Sequence, residues 1–266
     1  MSVLISGRTQ LAGVIGRPVE HSLSPAMHNA AYEAMRLDWT YIPLPVKDVA
    51  SLTRVVTALR DLPFVGFNVT MPYKQAIMPL LDEVAMYAKL AGAVNTVQVD
   101  DGRLIGYNTD GRGMLDSLSD EAGFVPKDKK VVVLGAGGAA GAMVVALILG
   151  DCAELTIINR DIARAEELIG RLEGKTRQTV ISVGGLDESA SAAVGAADLI
   201  LNATPVGMQP DDGSPIPTEW LRGGQVVADM VYGAAPTTLL REATAKGCTA
   251  IGGLGMLVNQ GATAIE

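Results

Sequence analysis

The run Val131-Val132-Val133-Leu134 passes directly into Gly135-Ala136-Gly137-Gly138-Ala139-Ala140 and then into an uncharged stretch ending at Gly150. This segment constrains the fold more than any other. A short β-branched run that enters a glycine cluster and leaves it as an apolar helix is the setting in which a G-x-G-x-x-G/A loop reads as a dinucleotide fingerprint. Glycine at 135 permits the tight turn, glycine at 137 lets backbone N–H groups approach a pyrophosphate, and the small residue at 140 lets helix and strand pack closely. The helix N-terminus then faces the phosphates. The absence of charge from Val131 to Gly150, with Gly137 and Gly141 at G-x-x-x-G spacing, is also what a membrane span would show. The strand-like first half, the glycine cluster and the lack of a second such stretch favour a soluble strand-turn-helix unit.

Strand and helix signals alternate on both sides of this unit. Before it come strands at Leu11 to Ile15, Thr40 to Leu44 and Gly66 to Val69, with helices from Pro25 and over Val49 to Leu59. This is βαβ logic and predicts a mostly parallel sheet. Val94 to Val99 and Arg103 to Tyr107 flank Asp101-Gly102, a dipeptide suited to a tight hairpin, so Asn95 is expected back beside Asn108, with Asp110 at the same end. From Lys130 a second series runs through strands at Val131 to Leu134, Leu155 to Ile158, Val180 to Val183, Asp198 to Asn202 and Val226 to Met230, with an Ala-rich helix at Ser189 to Ala197. Pro126 to Lys130, polar and proline-marked, is the most boundary-like stretch, and a hinge nearer Thr109-Asp110 is the alternative.

A chain of 266 residues, 48% hydrophobic, can fill one large or two modest cores, so an α/β enzyme of two domains is expected. Two cysteines, Cys152 and Cys248, are too few for a disulfide framework, and with two histidines they leave little for a zinc site, so a reducing, cytoplasmic setting is expected and no metal. His21 and His28 are assigned no role beyond packing or capping. The formal charge of −8 argues against nucleic acid or an anionic membrane as partner, while allowing a local basic clamp for one phosphorylated cofactor. The few apolar residues before Arg8 carry no basic leader, which argues against a signal peptide.

Side chains that packing does not demand fall in a few segments. His21-Ser22-Leu23-Ser24-Pro25 reads as a helix start, with Ser24 as N-cap and Pro25 at the first helical position. Simple capping would account for Ser24 in part and for Ser22 poorly; two hydroxyls beside a helix N-terminus also suit a carboxylate. Gly66-Phe67-Asn68-Val69-Thr70-Met71-Pro72-Tyr73-Lys74 reads as a strand entering a helix at Pro72, placing Lys74 in the first turn. There the helix N-terminus disfavours an ammonium and a nearby Asp110 carboxylate favours it, so the pair can hold a proton. Asp110 also suits the N-cap of a helix beginning near Gly111. After the strand that follows the glycine loop, Asn159-Arg160 with Arg164 one turn on replaces the acidic residue that holds an NAD ribose, and two guanidinium groups suit a 2′-phosphate. Asp161 lies between them and either caps the helix or repels that phosphate and admits NAD.

Taken together, these segments resemble the shikimate dehydrogenase family. The motifs are Ser-x-Ser-Pro at Ser22 to Pro25, Asn-x-Thr-x-Pro-x-Lys at Asn68 to Lys74, Gly-Ala-x-Asn-Thr at Gly92 to Thr96 and Asn-Thr-Asp-Gly at Asn108 to Gly111. The nucleotide loop, Asn159-Arg160, Asn202 to Met208, Asp229-Met230-Val231-Tyr232 and Gly253 to Gln260 follow in order over nearly the whole chain. The resemblance implies an α/β chain of two domains with the active site in the cleft between them. One is an N-terminal substrate-binding domain of residues 1–109 joined by 253–266; the other is a Rossmann-like NADP-binding domain of residues 110–252. It implies reversible reduction of the ring ketone of 3-dehydroshikimate, in aromatic amino acid biosynthesis, by an NADP-dependent enzyme acting as monomer or homodimer. Ser22, Ser24 and Tyr232 would hold the substrate carboxylate, and Thr70, Lys74, Asn95, Asp110 and Gln260 would surround the ring hydroxyls, with Lys74 and Asp110 catalytic. Gly135, Ala136, Gly137, Gly138, Ala139, Asn159, Arg160, Arg164, Met230 and Gly253 would hold NADP(H), with NAD(H) the alternative.

The sequence departs from the family at Gly233-Ala234-Ala235-Pro236, where Asn-Pro commonly follows the tyrosine, and it ends at Glu266 where relatives continue through a longer C-terminal helix. A quinate/shikimate dehydrogenase with NAD or dual cofactor use is the nearest alternative. A catalytically weak NADP-binding sensor or scaffold is disfavoured by Lys74 and Asp110, and a folate-linked dehydrogenase by the two serines.

Overall fold

The computed structural model describes residues 5–172, 174, 179–209 and 211–266. The chain divides into two compact units, Met1–Thr109 with Gly261–Glu266, and Asp110–Gln260. Pro126 to Lys130 lies inside the second.

The first unit is built on a six-stranded sheet of β1 (Gln10–Gly16), β2 (Trp39–Pro45), β3 (Phe64–Val69), β4 (Glu83–Val84), β5 (Thr96–Asp100) and β6 (Arg103–Tyr107), in the order β2-β1-β3-β5-β6-β4. β1 runs parallel to β2 and β3, and β4 parallel to β6, while β5 is antiparallel to both its neighbours. Alternation along β1 assigns its two faces. Ala12 and Val14 pack with Tyr32, Tyr41 and Ile265, against the side of α1 (Ser24–Met35). Leu11 and Ile15 face Leu52, Val56 and Leu59 of α2 (Val49–Leu59) together with Phe67, Val69 and Leu104. α2 occupies the expected residues because Asp48 caps it, accepting from the backbone N–H of Ser51 at 2.7 Å. The β5–β6 turn uses left-handed Asp101 (φ 47°) and Gly102 (φ 77°), as an Asp-Gly hairpin requires. β2 is an edge strand, and the Asn29 amide of α1 reaches it, accepting from Tyr41 N (2.8 Å) and donating to Tyr41 O (2.9 Å).

The second unit holds β7 (Lys130–Leu134), β8 (Glu154–Ile158), β9 (Val180–Gly184), β10 (Leu199–Asn202), β11 (Val226–Asp229) and β12 (Thr249–Ile251), all parallel, in the order β12-β11-β10-β7-β8-β9. This is the doubly wound order, in which the chain builds outward from β7 on one side and then restarts beside it at β10. β7 and β10 are buried along nearly their whole length, as strands covered on both faces must be. With them come α4 (Asp110–Ala122), α5 (Gly138–Leu149), α6 (Ile162–Gly170), α7 (Glu188–Ala196), α8 (Thr238–Ala245) and α9 (Gly253–Ile265), the last crossing the division after Gln260. Among the described residues no helix is long and apolar enough to cross a membrane.

Two expectations need correction. The segment after Pro72 is not a helix: a series of turns leads to a single 3-10 turn at Met78–Leu80. Prolines at 72 and 79 bracket it, and Pro79 has no N–H to carry an α-helix past it, so a helix from Pro72 could not extend beyond about two turns. The segment is fixed instead by its side chains, with Ile77 fully buried and the Tyr73 hydroxyl donating to Val46 O at 2.7 Å. At the other site the first helix begins at Ser24, with Leu23 in the N-cap position and no side-chain cap.

His28 is packed as expected. It is 2% exposed, lies flat on Tyr41 with ring centroids 4.2 Å apart, and neither ring nitrogen has a hydrogen-bond partner. Burial lowers its pKa to about 4, so it is neutral in the folded protein where the unfolded chain would already be protonated. The unfolded state therefore binds more protons between about pH 6.5 and 4, and stability must fall as pH drops through that window, by up to about 3 kcal/mol. Denaturant midpoints measured from pH 7 to pH 4 should fall more steeply in the wild type than in His28→Phe; parallel slopes would refute this account.

Candidate active site

The glycine loop forms the turn expected of it. Gly135 has φ +106°, and a Cβ there would lie 3.1 Å from the Thr204 methyl and 3.2 Å from Ala203 O, so the loop after β7 and the loop after β10 approach closely. Gly137 is the N-cap of α5, with no side-chain cap, and a Cβ on it would meet nothing within 4 Å. Space is thus open beside Gly137 at the start of α5, Gly138 and Ala139 are half-buried, and Ala140 is fully buried. That cradle fits a pyrophosphate. At the end of β8, Asn159 turns the chain by donating to Asp161 O at 2.6 Å, and Arg160 and Arg164 are both exposed. Asp161, between the two arginines in sequence, stands at the N-cap position of α6 but accepts no cap hydrogen bond, and its side chain is exposed.

In the first unit the predicted residues gather at the ends of β1, β3, β5 and β6. Gly16 has no side chain, and a Cβ there would collide with the Thr70 methyl, so Thr70 lies across the end of β1 with its N–H bonded to Ile15 O at 2.8 Å. Lys74 is half-buried, its carbonyl accepting from Val94 N at 2.8 Å. That bond ties it to the segment carrying Asn95. The buried Asn95 side chain accepts from Thr109 N (2.8 Å) and from the Thr96 hydroxyl (2.9 Å), and donates to Thr109 Oγ1 (2.9 Å). Asn108 follows Tyr107, the register partner of Thr96, so the hairpin brings it beside Asn95 as expected, and its amide donates to Ala93 O at 2.9 Å. Ser24 does not serve as the cap expected of it: the Ser22 hydroxyl accepts from Ser24 N at 3.2 Å, and the buried Ser24 hydroxyl bonds with Tyr41.

Tyr41 and Asn68 complete this group. The Tyr41 hydroxyl donates to Asn68 Oδ1 at 2.7 Å, and Asn68 donates to Asn95 O (3.2 Å) and Thr96 Oγ1 (3.0 Å). A continuous polar chain therefore runs from Ser24 to Thr109. Burial pushes the Tyr41 hydroxyl far above its ordinary range, so it remains a proton donor at neutral pH. Sequence reading leaves Tyr41 out, since an aromatic residue in a strand reads as core, and Asn68 is visible only as part of a motif.

In the second unit Asp110 is buried as the first residue of α4, and Gln260 is buried on α9. The two helices meet at Gly113, where a Cβ would lie 2.6 Å from Gln260 N and 2.9 Å from its Cα. Asp110 and Gln260 are thus carried on two helices in backbone contact. Gly253 makes a similar contact, since a Cβ there would collide with the Met230 carbonyl. Tyr232, two residues past Met230, is 40% exposed.

Residues 14–97 match the family model described as shikimate dehydrogenase substrate binding domain, and residues 120–206 match that described as shikimate / quinate 5-dehydrogenase. A shikimate dehydrogenase (NADP(+)) of Geobacter metallireducens is 45% identical over 262 residues, covering 98% of this chain and 91% of its own. The crystal structure of shikimate 5-dehydrogenase from Listeria monocytogenes in complex with shikimate and NAD superimposes with a TM-score of 0.91 at 38% identity, over 100% of this chain and 93% of that one. The Thermus thermophilus enzyme in complex with NADP(H) and shikimate gives 0.85 at 37% identity, over 96% and 92% of the two chains.

The Gly113 contact generates a prediction. In Gly113→Ala the new methyl meets backbone that cannot rotate aside, so α4 and α9 must separate. Overpacking of this kind costs about 1–3 kcal/mol, and the thermal midpoint should fall by several degrees; an unchanged midpoint would show that the helices can part freely.

Proposed function

The chain belongs to the shikimate dehydrogenase family, and from that premise we propose that it catalyses the reversible NADPH-dependent reduction of 3-dehydroshikimate to shikimate, a step of aromatic amino acid biosynthesis. The observation that carries this reading is similarity over 98% of the chain to an NADP-linked relative, combined with every motif position a carboxylated ring polyol would need. We place the protein in the cytoplasm, acting on small molecules alone.

The nucleotide loop fits the cofactor. Backbone N–H groups of Gly137, Gly138 and Ala139 would hold the pyrophosphate, Arg160 and Arg164 the 2′-phosphate, and Met230 and Gly253 would border the nicotinamide. When bound, the nicotinamide supplies the hydride that the protein cannot. The chain's own residues bind and orient the ring and handle the proton. Ser22, Ser24 and Tyr232 supply hydroxyl donors to the substrate carboxylate, an uncharged site beside the N-terminus of α1. Thr70, Asn95 and Gln260 hold ring hydroxyls. Lys74 donates the proton to the C3 oxygen as the ketone is reduced and takes it back in the reverse direction. Asp110 accepts a hydrogen bond from the hydroxyl so formed. The Asn95 amide, locked by Thr96 and Thr109, is set in place before substrate arrives.

A second reading has a specific observation behind it. The Asp161 carboxylate, exposed and lying between Arg160 and Arg164 in sequence, repels a 2′-phosphate and favours a free ribose hydroxyl, as in a quinate/shikimate dehydrogenase with NAD or dual cofactor use. Kinetics with shikimate and quinate, each with NAD⁺ and NADP⁺, separate the two.

Lys74→Ala should lower kcat by about 10²- to 10⁴-fold with a smaller change in KM, the loss expected of a general acid; turnover within a fewfold of wild type would remove Lys74 from the proton-donor role. Asp161→Ala should lower KM for NADP⁺ several-fold and leave KM for NAD⁺ equal or higher. If the NADP⁺ preference is unmoved, Asp161 does not face the 2′ position.

A further inference from the structure

β10 ends at Asn202 and β11 at Asp229, paired in register, and both side chains are fully buried. Asp229 Oδ1 accepts from Asn202 Nδ2 at 2.8 Å and from Val231 N at 3.0 Å, and Oδ2 accepts from the Thr237 hydroxyl at 2.7 Å. Asn202 in turn donates to Val206 O (3.1 Å) and accepts from the N–H and hydroxyl of Thr204 at 3.0 and 2.7 Å. Thr237 is the N-cap of α8. One carboxyl group thus joins the loop after β10, the loop after β11 and the start of α8. Its partners are all neutral, and burial pushes the carboxyl above its ordinary range against the pull of those donors. This is an expensive device for packing alone, since an apolar side chain would fill the same space without desolvating a charge. What it governs is the segment Met230–Tyr232, which is gripped from the opposite side by Gly253, whose absent Cβ lets it sit against the Met230 carbonyl.

We propose that Asp229 is a positioning residue for the hydride-transfer step: its carboxylate fixes the course of residues 230–232, and so where Met230 meets the nicotinamide and where the Tyr232 hydroxyl stands. This rests on the functional reading above. Gly137 and the Asn159–Arg164 corner, which would take the adenosine and phosphate end of the cofactor, lie outside the network, and Gly135 meets it only at Thr204 and Ala203, so the two ends of the cofactor should respond differently when the Asp229 bonds are cut.

The test uses the full-length protein with Asp229→Asn and Asp229→Ala. In Asp229→Asn, Oδ1 still accepts from Asn202 and Val231 while the new amide faces Thr237, whose hydroxyl can turn to accept, so this variant should fold even where Asp229→Ala does not. Three quantities are compared with wild type: kcat for 3-dehydroshikimate with NADPH, the Kd of 2′,5′-ADP, and the fluorescence emission of bound NADPH. We expect kcat to fall about tenfold in Asp229→Asn and further in Asp229→Ala, the emission of bound NADPH to shift, and the Kd of 2′,5′-ADP to stay within twofold. The proposal is overturned if kcat and emission match wild type, or if 2′,5′-ADP binding weakens in step with them, which would mark a general loss of structure. A wild-type protein inactive on 3-dehydroshikimate would sink the functional reading alone, because the emission and 2′,5′-ADP measurements would still decide the role of Asp229.

Discussion

A strand that ends inside a protein leaves polar backbone that must find partners, and in the first unit those partners converge on Asn95. Its carbonyl receives Val69 N and the Asn68 amide, its N–H reaches Tyr107 O, and its side chain closes onto Thr96 and Thr109. One buried asparagine therefore sets where β3 stops, how the β5–β6 hairpin closes, and where the chain stands as it leaves Thr109 for Asp110. Lys74 is drawn into the same arrangement through its bond to Val94. In the first unit, Asn95 itself and the backbone of Lys74 are placed by this network more than by any regular element.

How far the structure can be read from sequence depends on the range of the interaction. Elements with long apolar periodicity are legible: α2 and β6 match residue for residue, and β1, β2, β3, β7, β8, β9 and β10 lie within a residue or two. The glycine loop is legible because each glycine answers a local steric need. Elements too short to carry a period are not, among them β4 with two residues, β12 with three and α3 (Met86–Ala91) with six. The turns after Pro72 are misread because a proline suits the start of a helix, while Pro79 follows too soon for one to continue. Ser22 and Ser24 are recognisable as a pair, but Ser24 is not the cap it reads as, since only the Tyr41 hydroxyl, supplied by β2, draws it inward. Tyr41 itself has no sequence signal, because its partners lie on other strands and helices.

Both units bring functional loops together by omitting a side chain. Gly16 makes room for Thr70, Gly135 for Thr204, Gly113 for Gln260 and Gly253 for Met230. Of these, only Gly135 needs glycine for its φ angle; the others are glycine because a neighbour occupies the space. The units differ in what they place at the hub. The first uses an amide, which can donate and accept at no electrostatic cost, and the second a carboxylate that only accepts and must be surrounded by donors. A carboxylate so enclosed tolerates fewer rearrangements of the loops around it.

The bonds between Asn29 and Tyr41 bear on how copies of the chain can meet. Alternate residues of an edge strand turn their N–H groups outward, and on β2 Tyr41, Pro43 and Pro45 share that side. Tyr41 is already satisfied by the Asn29 amide, and the two prolines have no N–H to offer. Beyond Trp39, another strand arriving at this margin would find no N–H ladder to join. Sheet extension is thereby disfavoured along the Tyr41–Pro45 part of β2, one of the sheet margins at which copies of the chain could otherwise pair.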